Sequence, residues 1–360
     1  MAIIEVYDNP VLASAIADAR HNATIVDSFV KANSVINNPK YNSIICSVSG
    51  GADSDVMMDI CMKVDKYRKI TYVWFDTGLE FQATKDHIDY LEQKYNVNIH
   101  KEKAVKSIPY VNRTIGQPFV SKYVSNQISK LQKNNFQWED ESYEVLIEKY
   151  PNCTSAIKWW TNSNEKRGNE HGRFNIAYNK YLKEFLIEHP PYFPITWDCC
   201  KYAKKDVSKE LVKRYNADLV ILGLRKAEGG IRSIAFKNCY TIHENQEDMY
   251  RPLFWYKNED KDEYCRLFDI THSDCYVVYG MKRTGCAGCP YDIHVISTLE
   301  LIEKYEPKLY KACTKVFEKP YEYTRLYREF ANKQAYKEWY EKRHQEFLEE
   351  QERKKAKRKT

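Results

Sequence analysis

Short apolar runs alternate with helix-period stretches through the first third of the chain. Ile44 to Val48 is an apolar run closed by a glycine turn, and "ITYVWFDTG" (Ile70 to Gly78) is a second, rich in β-branched and aromatic residues, so both predict buried strands. Between them "DVMMDICMKVDKY" sets Val56, Ile60, Cys61 and Val64 on one helical stripe. "EFQATKDHIDYLEQKYN" repeats the helical period, "VNIHKEK" returns to an extended one, and the helix-like "AKKDVSKELVKRYN" precedes a further strand, "ADLVILGLR" (Ala217 to Arg225). This alternation predicts an α/β domain: a parallel sheet with helices on its faces.

From about residue 109 to 194 the rhythm breaks into helical patches, the pair Trp159 and Trp160, and the turn-prone "HPPYFP". A mainly helical insertion is expected there, a lid or substrate-selecting element, with the two tryptophans as packing residues rather than base-stacking ones. Beyond Pro290, Glu/Lys/Tyr-rich runs predict a helical C-terminal region. The expected organisation is a helical segment over 1–40, the α/β domain over 41–290 with its insertion at 109–194, and helices over 291–360. Acidic residues precede basic ones in the tail, which suits a terminal helix whose last cations face the negative end of its dipole. The alternative for Lys354, Lys355, Lys357, Arg358 and Lys359 is contact with nucleic acid.

Composition narrows the class. At 360 residues and 43% hydrophobic content the chain can bury a large core, and its net charge of +6 is too small to imply nucleic-acid binding. The N-terminus shows no basic leader before an apolar core, and no stretch approaches the roughly 20 apolar residues of a membrane span. A cytoplasmic protein without membrane contact is expected. Eleven cysteines, an odd number, argue against a disulfide framework and for buried thiols plus metal or redox chemistry.

The stretch Ser49-Gly50-Gly51-Ala52-Asp53-Ser54 follows the first strand and opens the first helix of the alternation. Such a turn presents backbone N–H groups and the positive helix end to an anion, as a pyrophosphate requires. Gly50 and Gly51 let the backbone approach the ligand, and Ser49 and Ser54 add hydroxyl donors. Asp53 has the wrong sign for phosphate, so it fixes the loop or meets a bound Mg²⁺. Neither G-x-x-x-x-G-K-[ST] nor G-x-G-x-x-G occurs in the chain. Asp76 and Thr77 end the neighbouring strand on the side where open α/β sheets bind ligands. Arg225 and Arg232 offer planar forks suited to sulfate or phosphate, with Glu228 between them to orient either one.

Two cysteine pairs stand apart from the rest: Cys199-Cys200 and the C-x-x-C of Cys286 and Cys289. Four such thiolates suit zinc or an iron–sulfur cluster. Adjacent Cα atoms about 3.8 Å apart fit a bulky cluster more readily than one compact tetrahedral ion. Cys46, Cys61, Cys153, Cys239, Cys265, Cys275 and Cys313 lie in apolar or mixed runs and are expected to be packing residues.

Taken together, these segments resemble a known family. S-G-G-x-D-S after a first strand resembles the pyrophosphate loop of the adenine nucleotide α-hydrolase superfamily, and "FDTGLEF" resembles the D-T-G element of its phosphoadenylyl sulfate (PAPS) reductase branch. "GLRKAEGGIR" resembles that branch's G-x-R-x-x-E-x-x-x-R segment, and "RPLFWYKNEDKDEY" its P-L-x-x-W-x-x-x-D block. The resemblance spans roughly Ser43 to Pro290 and implies a Rossmann-like fold binding an adenine nucleotide through Ser49, Gly50, Gly51, Asp53, Ser54, Asp76, Thr77, Gly78, Arg225, Glu228 and Arg232. It implies that Asp53, Ser54, Arg225 and Arg232 act in catalysis. It also implies that Cys199, Cys200, Cys286 and Cys289 hold a [4Fe-4S] cluster as in adenylyl-sulfate reductases, with Lys204 at the family's basic position.

The chain departs from the sulfate-activating reductases in two ways. It lacks their C-terminal E-C-G-x-H cysteine, and its loop is complete where theirs is altered. The favoured reading is therefore an ATP pyrophosphatase akin to the DNA phosphorothioation subunits, which splits ATP with Mg²⁺ and drives cluster-assisted sulfur transfer to an acceptor such as nucleic acid, with a sulfur donor protein as partner. A second reading is a PAPS or adenylyl-sulfate reductase that releases sulfite and consumes a thioredoxin-like reductant. A third is a regulatory or defence protein that binds nucleotide and cluster without turnover.

Overall fold

A computed structural model describes residues 8–164, 171–229 and 235–357. They divide into two compact units: Met1–Pro109, Cys200–Cys289 and Ile296–Cys313 form the first, and Tyr110–Cys199, Pro290–Val295 and Thr314–Thr360 the second.

The first unit is built on a six-stranded sheet of order β3-β2-β1-β4-β6-β5. Its strands are β1 (Ile44–Ser47), β2 (Ile70–Asp76), β3 (Ile99–Lys103), β4 (Leu219–Leu222), β5 (Tyr240–Thr241) and β6 (Asp248–Tyr250). All neighbouring pairs are parallel except the edge hairpin β5–β6. The α/β class expected from the alternation, with a mostly parallel sheet, is what the chain forms. Because β1 leads to β2 on one side while β4 lies on its other side, the strand order reverses between β1 and β4. In open α/β sheets the crevice at such a reversal, beyond the carboxyl ends of the strands, is where ligands bind.

Helices α1 (Pro10–Asp18) and α2 (Ala23–Ile36) begin at Asn9 and Asn22, whose side chains accept from the N–H groups of Leu12 and Ile25. Their apolar stripes place Leu12, Ala15, Ile25, Phe29 and Ile36 in the main core, together with Val56, Met57, Ile60 and Val64 of α3 (Ala52–Val64). Helix α3 is buried on nearly every side, which leaves its acids Asp55 and Asp59 inside the protein. A buried carboxylate needs internal partners, and both acids have them. Asp59 accepts from Tyr95 (2.9 Å) at the end of α4 (Gln82–Tyr95) and from Tyr264 (2.6 Å), and it pairs with Lys63 one turn away. Asp55 holds His87 of α4 through one oxygen (3.0 Å) and His272 through the other (2.8 Å).

The second unit contains α5 (Lys122–Lys133), α6 (Thr154–Trp160) and α7 (Leu182–Glu188), and its last helix is traced from Glu318 to Lys357. Its core is aromatic: Phe119, Phe136, Phe185 and Tyr323 pack with Trp159 and Trp160, which are fully buried. The Trp160 indole N–H donates to the Glu139 carbonyl (2.9 Å), so these rings are packing residues. Among the described residues no helix is long and apolar enough to cross a membrane.

Asp59→Ala leaves two tyrosine hydroxyls and an ammonium group without their buried acceptor. The variant is expected to lose about 3 kcal/mol of unfolding free energy, measured by urea titration. An unchanged midpoint would show that Asp59 does not organise this core.

Candidate active site

The chain leaves β1 through Val48 and turns at Gly50, whose φ of +67° is the left-handed conformation that favours glycine. A Cβ at Gly50 would also stand 2.9 Å from Thr84 Cγ2. The loop closes on itself: the Ser49 N–H donates to Ser54 Oγ (3.1 Å), and the Gly51 N–H donates to Ser49 Oγ (3.3 Å). The N–H groups of Ser54 and Asp55 donate to the Gly51 carbonyl (2.8 and 3.1 Å). Those of Gly50 and Asp53 have no partner among the described residues, so they are available to an anion at the head of α3. The two serines anticipated as ligand donors thus also serve as the loop's own acceptors.

Across the sheet reversal lies the end of β4. A Cβ at Gly223 would meet Asp53 O, Met57 Sδ and Ser54 Cα at 3.4 Å, so this segment packs directly on the loop. Arg225 follows, nearly buried, with Nη1 donating to Asn258 Oδ1 (3.0 Å) and Nε 3.0 Å from Asp53 Oδ2. That pair attracts without hydrogen-bond alignment: Arg225 Nε and Asp53 Oδ1 are both buried without a hydrogen bond, and Lys261 Nζ stands 3.8 Å from Asp53 Oδ1. An unsatisfied buried donor and acceptor beside the loop are where a polar ligand would complete the bonding. Glu228 lies 3.8 Å from Arg283 Nη2. Arg232 lies outside the described residues.

At the end of β2, Asp76 accepts from the Gly78 N–H (2.9 Å) in a local turn, and Gly78 has φ of +83°. Thr77 is fully buried and donates to Glu80 (2.5 Å). The C-x-x-C segment joins this turn, for the Ala287 N–H donates to the Leu79 carbonyl (3.0 Å). It also reaches the phosphate loop: Thr284 Oγ1 is 3.0 Å from the Tyr276 hydroxyl, and a Cβ at Gly51 would stand 3.2 Å from both oxygens. Sequence reading did not single out Tyr276 or Thr284, because nothing local marks a hydroxyl that meets a distant loop.

Cys200 ends a short helix and runs into a π-helical turn, Lys201–Lys205, before α8 (Asp206–Arg214). Such turns break helical regularity and are frequent at functional sites. The turn carries Lys204, whose pKa is raised chiefly by Cys286, and after opposing desolvation by Glu80, Cys200 and Cys289. Desolvation raises Cys286, and Lys204 opposes it. Desolvation also pushes Glu80 up to about 7, against its bond from Thr77 and the charge of Lys204. Lys204 is nevertheless solvent-accessible, and Glu80, Cys200, Cys286 and Cys289 are partly so. Three of the four anticipated ligands, Cys200, Cys286 and Cys289, therefore stand within electrostatic reach of one lysine in the first unit. Cys199, the buried neighbour of Cys200, is the last residue of its segment in the second unit.

Among the described residues no three Cys, His, Asp or Glu side chains are gathered tightly enough to hold a single metal ion. Cys200, Cys286 and Cys289, which all act on Lys204, are soft donors of the kind an iron–sulfur cluster takes. No cysteine is in a disulfide. Cys313 is buried, and desolvation with the charge of Glu306 pushes it to about 12, which suits a packing residue and not a nucleophile.

Gly50→Ala combines positive-φ strain with the Thr84 contact, whereas Gly280→Ala at φ +71° meets nothing within 4 Å. The first is expected to cost about 1 kcal/mol more than the second in thermal unfolding. Equal losses would mean that Thr84 yields freely and does not brace the loop.

The phosphoadenosine phosphosulfate reductase domain model matches residues 43–148. No curated protein sequence matches the chain. Among solved structures it is similar to the phosphoadenylyl-sulfate reductase of Candida auris in a phosphate complex, with 14% identity over 70% of this chain and 84% of that one and a TM-score of 0.36. It is similar also to the U34-tRNA thiolase NcsA of Methanococcus maripaludis with its [4Fe-4S] cluster, with 12% identity over 86% and 80% and a TM-score of 0.36. The NH3-dependent NAD synthetase of Campylobacter jejuni gives 9% identity over 82% and 93% and a TM-score of 0.33. Likenesses this distant carry no argument about the reaction. The segment 43–148 that matches the phosphoadenosine phosphosulfate reductase domain model holds β1, the glycine loop, α3, the D-T-G turn and β3.

Proposed function

We propose that the protein binds an adenine nucleotide at the Ser49–Ser54 loop and splits ATP to AMP and pyrophosphate in order to transfer sulfur to an acceptor such as nucleic acid. The observation that carries this reading is the complete loop, with two unpaired N–H groups at a helix start and Arg225 beside it. In this reading the Gly50 and Asp53 amides hold the β,γ-phosphates, and Ser49 and Ser54 keep the loop in shape. Asp53 aims Arg225, whose planar fork meets charge that develops as pyrophosphate departs. Arg232 would add a second fork, with Glu228 orienting it, and Asp76, Thr77 and Gly78 would border the nucleotide. Mg²⁺ carried in with ATP would neutralise part of the phosphate charge.

Cys200, Cys286 and Cys289, with Cys199 one peptide bond away, would hold a [4Fe-4S] cluster. That group would supply a soft iron site for sulfur or electrons. Lys204 would balance the negative charge of the thiolates. A sulfur donor protein would be the natural partner. The second reading, reduction of PAPS or adenylyl sulfate to sulfite by a thioredoxin-like reductant, is favoured by the matched domain itself and its D-T-G turn.

The deciding experiment uses protein purified without oxygen, with Mg²⁺, a dithiol, isotope-labelled ATP, and unlabelled adenylyl sulfate and PAPS. Mass spectrometry is expected to find labelled AMP with pyrophosphate. Unlabelled AMP or adenosine bisphosphate with sulfite would replace the first reading with the second. Asp53→Ala or Ser54→Ala is expected to abolish turnover while iron content is kept, and retained turnover would sink the loop assignment.

Cys286→Ser tests the thiols separately. Iron and visible charge-transfer absorbance should fall to a small fraction of the parent's, with the fold intact by circular dichroism. Full retention of iron would remove Cys286 from the ligand set.

A further inference from the structure

A second group of reactive side chains lies outside the nucleotide loop and the C-x-x-C segment. His272 donates or accepts through Nε2 at 3.4 Å from Cys265 Sγ, and its Nδ1 is 2.8 Å from Asp55 Oδ2. Cys265 sits on α9 (Asn258–Leu267) and is partly exposed, unlike Cys46, Cys61, Cys239, Cys275 and Cys313. Thiol, imidazole and carboxylate thus stand in line, each ring nitrogen taken by one neighbour. This is the order in which a base oriented by a carboxylate activates a nucleophile.

The surroundings set the charge of the imidazole. Asp55 is fully buried and takes a second imidazole, His87, on its other oxygen, with Tyr90 stacked on that ring. The Tyr276 ring, 5.8 Å away, also faces His272. Burial acts to lower the pKa of His272, but the bonds and charges of Asp55 and Cys265 outweigh it and raise it to about 9. At neutral pH His272 is therefore cationic, and a cation at hydrogen-bond distance stabilises a thiolate.

We propose that Cys265 is a nucleophilic thiol, with His272 as its proton partner and Asp55 as the orienting carboxylate, and that it undergoes exchange with small disulfides. The Cys265 thiolate attacks one sulfur of R–S–S–R, a mixed disulfide forms, and the original S–S bond breaks. The departing R–S⁻ takes a proton from His272 or water. The disulfide supplies the oxidising equivalent, so no other oxidant enters. A small disulfide is the class that fits because the thiol is only partly exposed and thiolates favour soft sulfur electrophiles. This inference stands apart from nucleotide turnover and does not depend on it.

The test treats the native protein with an aromatic disulfide such as dithiodipyridine across a pH series, and mass spectrometry follows the peptide that contains Cys265. At pH 6, where a free thiol has slowed about tenfold for each unit below its pKa, Cys265 is expected to react faster than N-acetylcysteine because His272 stands at its sulfur. His272→Asn should slow its labelling about tenfold at that pH, and Cys265→Ser should remove the signal. A Cys265 rate that tracks N-acetylcysteine across the series, or an unchanged rate in folded His272→Asn, would overturn the proposal. So would a Cys265 that reacts only after denaturation. If His272→Asn does not fold, the pH series of the parent protein decides alone.

Discussion

Helix α3 is the element on which the first unit depends, because it is buried on nearly all sides while carrying two carboxylates in its interior. Burying an unpaired charge is prohibitive, so whatever packs on α3 has to bring donors. Tyr95 and His87 come from α4, Tyr264 from α9, and His272 from the segment beyond it. The acids therefore specify which elements surround the helix, and not simply that apolar ones do. The helix start is held in the same way from its other end, where β4 and Arg225 close on the loop.

This arrangement explains how one short loop can be both shaped and open. Ser49 and Ser54 spend their oxygens on the loop's own N–H groups, and Gly50 takes the left-handed turn. Two amides, of Gly50 and Asp53, are then left without a partner among the described residues at the positive end of a helix. The hydroxyl pair Tyr276–Thr284 links that loop to the C-x-x-C segment, and Ala287 links the same segment to the turn after β2. Loop, turn and cysteine segment consequently pack against one another within the first unit. A change in any of the three strains the others.

The local pattern of the chain was enough for the elements of the sheet. The apolar runs at Ile44, Ile70 and Leu219, the helical stripe of α3 and the glycine turn between them depend on neighbours a few residues apart, and period and turn chemistry report such neighbours directly. The short strands β5 and β6 carried no comparable pattern, since two or three residues at a sheet edge show no period. The burial of Trp159 and Trp160 was also legible, because an aromatic pair within a helical patch has few other uses.

Tertiary structure alone decided what the polar groups do. Asp53 faces Arg225, Lys204 stands among three thiols, and Tyr276 reaches a loop more than two hundred residues earlier. Cys265 looked like a packing residue in its own helix, and only the fold brings His272 to its sulfur and Asp55, 217 positions from that histidine, to the imidazole. Hydrophobic period is a property of one element. The charge state and reactivity of a side chain are set by groups within a few ångströms in space, and those come from elements whose separation along the chain carries no local mark.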